Sequence, residues 1–598
     1  MIKKTAIVLR KLDPNETIKS FDEVYVLSDY YYEIEHSNKN LLEIGNNFKK
    51  KIEEEFRQKI KDFGHTSYNN KSVIEKLSIN NDTYWYYLRF SLYHQLISKI
   101  LEYNIIEKYK PTIKSNDNLT FFTKYEHSHL EKNINIHSEK IIKSKSNMSA
   151  KINLALIFVI RSLIGLYRSI SIKRKENIIL LEPYNQQQLI DIENPDQFIS
   201  GDYYNEYFTN HALKRDDFFF LSDIYPPPLS EDIKLKKAYF VNKYSKRSLN
   251  FEYFIALVLI NPINLYKAYK INKQLKKNLS FNNNELCYTD NLLFNFLQSK
   301  SKLLTYIWIR EKAAKIATRN KNIKRIIGHH EQSINHFSII KGSRENNIIS
   351  IGIQHGVLTP FHMQYIYDSR DLSYKPTADY MITWGDYWNN LLIDSSIYTK
   401  NNCFALGQIR TDVIPNLNKL YHGNSKKNIL FASQPAIIGE EIRYNLARDI
   451  LMSAKSLNYK LIIKPHPGEK DAIIFFKKVA NDVNYYDYVI SNNDLYKLLS
   501  ESDCLMTYHS TVSSEAVYFL KPVIILDYKE YDISNYSKFE GAIFTIKNKN
   551  ELINTLDLLI NDKLKISLET QKKFISKYSF SIDGKTSERY INFIQSLS

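Results

Sequence analysis

Between Lys324 and Tyr528, short β-branched runs alternate with stretches of helical period, and this alternation constrains the fold more than any other feature of the chain. A first series holds KRIIGHHE (Lys324–Glu331), IISIGIQHG (Ile348–Gly356), DYMITWG (Asp379–Gly385) and CFALGQ (Cys403–Gln408), with helical stretches at Leu304–Thr318 and Ile334–Gly342. A second holds NILFASQP (Asn428–Pro435), KLIIKPHP (Lys460–Pro467), YDYVIS (Tyr486–Ser491), CLMTYH (Cys504–His509) and PVIILDY (Pro522–Tyr528), again with helices between. Strands separated by helices imply βαβ units and a mostly parallel sheet. The fold class is therefore α/β, with two Rossmann-like domains facing each other across a cleft. TDVIPNLNKLYHGNSKK (Thr411–Lys427), polar and broken by Pro415 and Gly423, reads as the linker.

A chain of 598 residues exceeds a single core. The expected division is an N-terminal acceptor domain over 1–415 with helical insertions at about 30–300, a nucleotide-donor domain over 416–575, and a C-terminal helix at 576–598 packing back on the first domain. Strands are expected at Thr5–Leu9, Val24–Leu27 and Asn177–Pro183, a helix across Ser72–Tyr109, and a loop at Tyr225–Ser230.

The net charge of +17 suits an anionic partner, but the lysines are dispersed and no nucleic-acid-binding signature occurs, so nucleic acid is not an expected partner. Cys287, Cys403 and Cys504 lie far apart, at neither metal nor redox spacing, which fits a reducing compartment. Only five uncharged residues separate Lys4 from Arg10, too few for a signal-peptide core, and the expected location is cytoplasmic. Ile152–Ile172 is apolar but carries Arg161 and Arg168 and is followed by Lys173–Lys175. A central arginine disfavours a spanning helix by roughly 2.5–3.5 kcal/mol. An interfacial helix on the inner membrane face and an ordinary packing helix both fit. Phe251–Lys270 is similar, with Pro262 interrupting it.

Chemistry concentrates at strand ends, where open α/β sheets bind ligands. KPHP sets Lys464 and His466 at the end of one strand, as a fixed charge and a donor for a phosphate. HSTVSSEA opens a helix with Ser510, Thr511, Ser513 and Ser514, more hydroxyls than one N-cap needs, where free N–H groups favour an anion. Glu515 faces a ribose or sugar hydroxyl, or simply matches the helix dipole. Gly356 allows close backbone approach, and His355 and Gln354 stand beside it at a strand tip. His329, His330 and Glu331 crowd another strand end, where Glu331 is a candidate general base for an acceptor hydroxyl and the histidines are acceptor-side candidates. The spacing is not that of a zinc protease, since Ile334 stands where a second histidine is needed. With no Asp-x-Asp triplet, dinucleotide fingerprint or P-loop, neither a metal nor a cofactor is expected.

Together QHG, TWG (Thr383–Gly385), LGQIRTD (Leu406–Asp412), KPHP and STVSSEAVYFLKPVIIL (Ser510–Leu526) resemble the bacterial GT-B glycosyltransferases of surface and capsular polysaccharide synthesis, over about Lys324–Tyr528. The resemblance implies a metal-independent enzyme that moves a sugar from a nucleotide-sugar donor to a glycan or lipid-linked acceptor. The His-Pro pair and the serine-rich helix start look like the CMP-sugar pattern, with His466, Ser513 and Ser514 on the donor phosphate and Glu331 as base. A competing likeness is to CDP-glycerol and CDP-ribitol polyol-phosphate transferases, in which His355 is the better base; there Tyr508–His509 departs from an aspartate–tyrosine pair. UDP-N-acetylglucosamine 2-epimerases share the layout but are shorter. A non-catalytic nucleotide- or glycan-binding subunit of an assembly complex is the rival from another class.

Overall fold

The computed structural model describes residues 4–597 apart from 11, 13–17, 19, 28–40, 45, 80–81, 110–117, 126–134, 139–147, 172–176, 182–185, 224–246, 281–285, 320–321, 329–330, 361, 421–426, 435–439, 470, 509, 511 and 529–538. The expected loop at Tyr225–Ser230, the Lys173–Lys175 cluster, and the candidates His329, His330 and Thr511 lie outside the described residues.

Three parallel sheets follow one another along the chain. The first contains β1 (Lys4–Val8), β2 (Glu23–Leu27), β3 (Leu41–Ile44), β4 (Asn118–Thr123) and β5 (Asn135–Ser138), in the order β3-β2-β1-β4-β5. It packs with α1 (Asn46–His65) and α2 (Trp85–Tyr109) around Ile7, Phe63, Trp85 and Phe121. The sequence leads one to expect helical insertions in a single N-terminal domain here; the segment builds a five-stranded sheet whose helices share a buried core with Leu275, Leu293, Ile307 and Phe337 further along the chain. Its strands are short and widely separated, so no alternation stands out.

After α3 (Met148–Ser171), the second sheet begins with β6 (Asn177–Leu181), followed by a hairpin of β7 (Gln186–Ile190) and β8 (Phe198–Asp202) that stands apart from it. β9 (Phe218–Ser222), β10 (Ser248–Asn250), β11 (Ile323–Gly328), β12 (Ile349–Ile353), β13 (Tyr380–Thr383) and β14 (Cys403–Ala405) complete it, in the order β10-β9-β6-β11-β12-β13-β14. Every pairing in this sheet is parallel. Between β10 and β11 lie α4 (Phe251–Leu259), α5 (Pro262–Asn278) and α6 (Ser301–Ala317). Pro262 starts α5 instead of breaking a helix: it occupies the first turn, where its missing N–H costs nothing, and the Asn261 side chain caps Ile263 N–H at 2.9 Å.

The third sheet holds β15 (Asn428–Ala432), β16 (Lys460–Lys464), β17 (Tyr488–Ile490), β18 (Cys504–Thr507), β19 (Val523–Leu526) and β20 (Ile543–Ile546), in the order β17-β16-β15-β18-β19-β20. Two such α/β lobes facing each other form the GT-B-like arrangement. The expected linker is helical in its first part, a 3-10 turn at Ile409–Val413 running into Ile414–Leu420 with Pro415 in the first helical turn.

Past the third sheet, α7 (Leu568–Ser579) and α8 (Thr586–Ser596) return to the second lobe. Trp388 Nε1 donates to the Tyr578 carbonyl at 2.9 Å, and Arg325 Nε to the Leu597 carbonyl at 2.8 Å. A side chain at Gly385 would strike the α7 backbone, its Cβ 2.6 Å from the Lys577 carbonyl oxygen. One buried apolar cluster runs through both lobes and these helices, including Ile353, Trp388, Leu430, Tyr496, Tyr578 and Tyr590.

Candidate active site

The third sheet reverses its winding between β15 and β18. Connections there leave in opposite senses and open a crevice above the strand ends. A cleft of about 1000 Å³ occupies it. Ser433 follows β15, Lys464 and His466 close β16, Asp494 follows β17, and Ser510 follows β18. The facing wall comes from the second lobe, through Gln188 and Phe198 of the β7–β8 hairpin and Tyr203 just beyond it.

The KPHP turn is held by a side chain that sequence reasoning missed. The buried Glu469 carboxylate accepts from His466 N–H at 2.9 Å and from the Ser433 hydroxyl at 2.5 Å, which fastens the turn to the end of β15. Arg443 lies 3.3 Å from its other oxygen. The His466 Nδ1 accepts from Gly468 N–H at 3.0 Å, so the neutral ring carries its proton on Nε2 and presents a donor. Lys464 is half-buried; burial lowers its pKa, and nearby Asp494 opposes that shift. Among the described residues no carboxylate lies within ion-pairing distance of its ammonium group, so this cation is available to an anionic ligand.

Arg410 is the second residue missed. Its guanidinium is buried between the rings of Tyr203 and Tyr496, 4.0 and 4.1 Å from their centroids. It donates to the Tyr203 hydroxyl, and to Glu515 at 3.2 Å, and Asp494 lies 3.8 Å away. It therefore joins the second lobe to two carboxylates of the third sheet. Its signal lay in LGQIRTD, the segment that follows β14. Tyr203 carried no signal, being one of 45 tyrosines.

The serine-rich stretch divides. Ser510 lines the cleft. Ser513 is fully buried, donates to the Ser510 carbonyl at 2.6 Å within its own turn, and is not among the lining residues. Ser514 is half-buried and not among the lining residues. The helix that this stretch opens spans only Val512–Tyr518. Glu515 is in the cleft, but as the partner of Arg410 and, at 3.4 Å, of the Tyr496 hydroxyl.

On the other lobe, Gln354 is a latch. Its side-chain oxygen accepts from Trp384 N–H at 2.9 Å, its amide donates to the Gly356 carbonyl at 2.8 Å, and its own carbonyl accepts from Trp384 Nε1 at 3.0 Å. QHG and TWG thus hold each other, and the buried Gln354 amide is not offered to an acceptor. Gly356 faces open space. His355 is half-buried, edge-to-face with Tyr204, whose ring in turn meets Tyr203 of the cleft wall at 5.0 Å. Its Nδ1 is 3.4 Å from the Tyr365 hydroxyl.

Glu331 is placed differently from its expected role. It is fully buried behind Gly352, whose missing Cβ leaves room for its carboxyl group. Burial pushes its pKa up to about 8, and the neighbouring Tyr365 hydroxyl opposes that shift. Neither Glu331 nor His355 is among the residues lining the cleft; of the two, Glu331 is fully buried and His355 half-buried. Asp202, buried just ahead of Tyr203, is likewise pushed up to about 8 by burial and by Glu206.

No protein-family model matches the chain. Over 534 residues it is 24% identical to the uncharacterized protein MJ1060 of Methanocaldococcus jannaschii, covering 82% of this chain and 93% of that one. Two proteins of Bacillus subtilis match shorter stretches. The minor teichoic acid biosynthesis protein GgaB is 26% identical over 30% of this chain, and the teichoic acid glycerol-phosphate primase 24% over 37%. The aligned stretches span 19% and 58% of those proteins' own lengths. Among solved structures, the wall teichoic acid polymerase TagF is 14% identical with a TM-score of 0.36, over 75% of this chain and 98% of its own. The UDP-GlcNAc 2-epimerase of Neisseria meningitidis is 9% identical with a TM-score of 0.41, over 70% and 99%.

Proposed function

We propose that the chain is a transferase that takes a polyol phosphate from a nucleotide-activated donor of the CDP-glycerol or CDP-ribitol kind and adds it to a hydroxyl acceptor of a surface polymer. The observation that carries the reading is the cleft at the winding reversal, where Lys464 and the Nε2 of His466 face space for a diphosphate, beside an Arg410 paired with Glu515 and Asp494. The two teichoic acid proteins among the relatives favour the polyol-phosphate donor over a CMP-sugar. So does the placement of the two candidate bases, since His355 is half-buried and Glu331 fully buried.

In this reading the acceptor oxygen attacks the phosphorus that bears the polyol while its proton passes to His355. The bond from that phosphorus to the bridging oxygen opens, and CMP leaves with the electron pair on its phosphate. Lys464 and His466 offset the charge that develops there, in a site whose donors are already placed. The Lys464 cation and the His466 donor take the part that a bound metal plays elsewhere, so activity is expected to persist in a chelator.

The test is release of CMP from CDP-glycerol or CDP-ribitol in the presence of a polyol-phosphate acceptor. CMP release that needs acceptor and falls at least about 100-fold in His355→Ala supports the proposal. Turnover of nucleotide sugars with no turnover of either CDP-polyol would contradict it. Binding of CDP with no transfer to any acceptor would favour a non-catalytic subunit.

A further inference from the structure

α3 is amphipathic the wrong way round for a helix on a water-facing surface. Its inward stripe, Arg161, Ser162, Gly165 and Arg168, is polar or small, and the protein satisfies it. Arg161 donates to Glu252 at 3.0 Å and to the Ser222 hydroxyl at 2.8 Å; Arg168 donates to Ser248 and Asn250, each at 2.8 Å. Gly165 lets the helix lie against α4, since a Cβ there would stand 2.6 Å from that of Tyr253. The outward stripe is apolar: Ile160, Leu163, Tyr167 and Ile170 recur at three- and four-residue steps, exposed by 51, 62, 73 and 79%.

The neighbouring helix repeats the pattern and adds charge. α4 packs on both α3 and α5. The turn between α4 and α5 exposes Ile260, and the first half of α5 exposes Ile263, Tyr266 and Tyr269. The same helix also carries exposed Lys267, Lys270, Lys273, Lys276 and Lys277, while Ala268, Ile271 and Leu275 form its buried stripe. Large apolar side chains flanked by lysines match a bilayer interface, where the former enter the acyl boundary and the latter meet anionic headgroups. No described helix is long and apolar enough to cross a membrane.

We infer that the outward faces of α3 and α5 form a docking surface for an anionic phospholipid bilayer, on which the protein lies without spanning it. The inference stands on the exposed surface alone and does not depend on the identity of the donor. Co-sedimentation of the full chain with vesicles tests it, using phosphatidylcholine alone and phosphatidylcholine mixed with phosphatidylglycerol, with light scattering to follow oligomeric state. The expected result is pelleting with the mixed vesicles only. Both the combined variant Leu163→Glu/Tyr167→Glu/Ile170→Glu and the combined variant Lys267→Ala/Lys270→Ala/Lys273→Ala should bind at least about tenfold more weakly. The lysine variant changes only exposed side chains, so it remains informative if the first fails to fold. Absence of the wild type from the anionic pellet, or undiminished binding of the lysine variant, would overturn the inference. So would conversion of a wild-type dimer to monomer by the apolar variant, which would make the face a contact between copies.

Discussion

Arg410 and Glu331 are both buried ionisable residues, and of the two only Arg410 is ion-paired among the described residues. Arg410→Met leaves Glu515 and Asp494 facing each other without their cation, a loss of about 3–5 kcal/mol for a buried pair. Its urea midpoint should fall accordingly, and a midpoint within error of wild type would contradict the role of Arg410 in joining the lobes. Glu331 gives a pH signature. Its proton is held up to about pH 8 in the folded chain, against an ordinary value of 4.5. Stability from this group is therefore fully present below pH 4.5 and is lost as pH rises through about 8, by at most about 1.4 kcal/mol per pH unit across that window. Asp202 acts in the same sense. The melting temperature should decline between pH 5 and 9, less steeply in Glu331→Gln. Parallel curves for the two proteins would show that Glu331 does not titrate as described.

At the scale of elements, Asp412 ties the end of the chain to the second lobe. Its carboxylate accepts from Thr586 N–H and Ser587 N–H, each at 2.8 Å, and from the Ser587 hydroxyl at 2.7 Å, capping α8 from 174 residues away. Asp412→Ala should cost about 2–3 kcal/mol. Limited proteolysis of that variant should cut within 580–598 before any other site, and an unchanged digestion order would argue against the cap. Most strands of the second and third sheets were legible as apolar, β-branched-rich runs bounded by turn residues, whereas the aromatic FFFLS (Phe218–Ser222), the three-residue SLN (Ser248–Asn250) and IFTI (Ile543–Ile546) were not. The first sheet was legible only in part: two of its strands were expected at Thr5–Leu9 and Val24–Leu27, whereas LLEI (Leu41–Ile44) is only four residues within polar sequence and gave no signal. The site was legible in part for a related reason. KPHP and Ser510 adjoin strands that the pattern placed, whereas Tyr203 follows a hairpin outside the sheets, and Arg410 and Glu469 act through partners distant in sequence.

Across the whole molecule, the second and third sheets share a buried core and meet at a cleft whose cations come from more than one segment. Glu469, by fastening KPHP to β15, fixes one wall of that cleft, and Gln354 latches QHG to TWG outside its lining. That preorganisation limits the ordering cost of binding. Calorimetric titration of CDP into the wild type and into Lys464→Met tests the central claim most directly, that the cleft at the third sheet's strand ends is a nucleotide-diphosphate site. Loss of one charge-assisted contact predicts affinity weaker by about 10- to 100-fold in the variant, whereas equal affinity in the two proteins would place the nucleotide elsewhere and contradict the account.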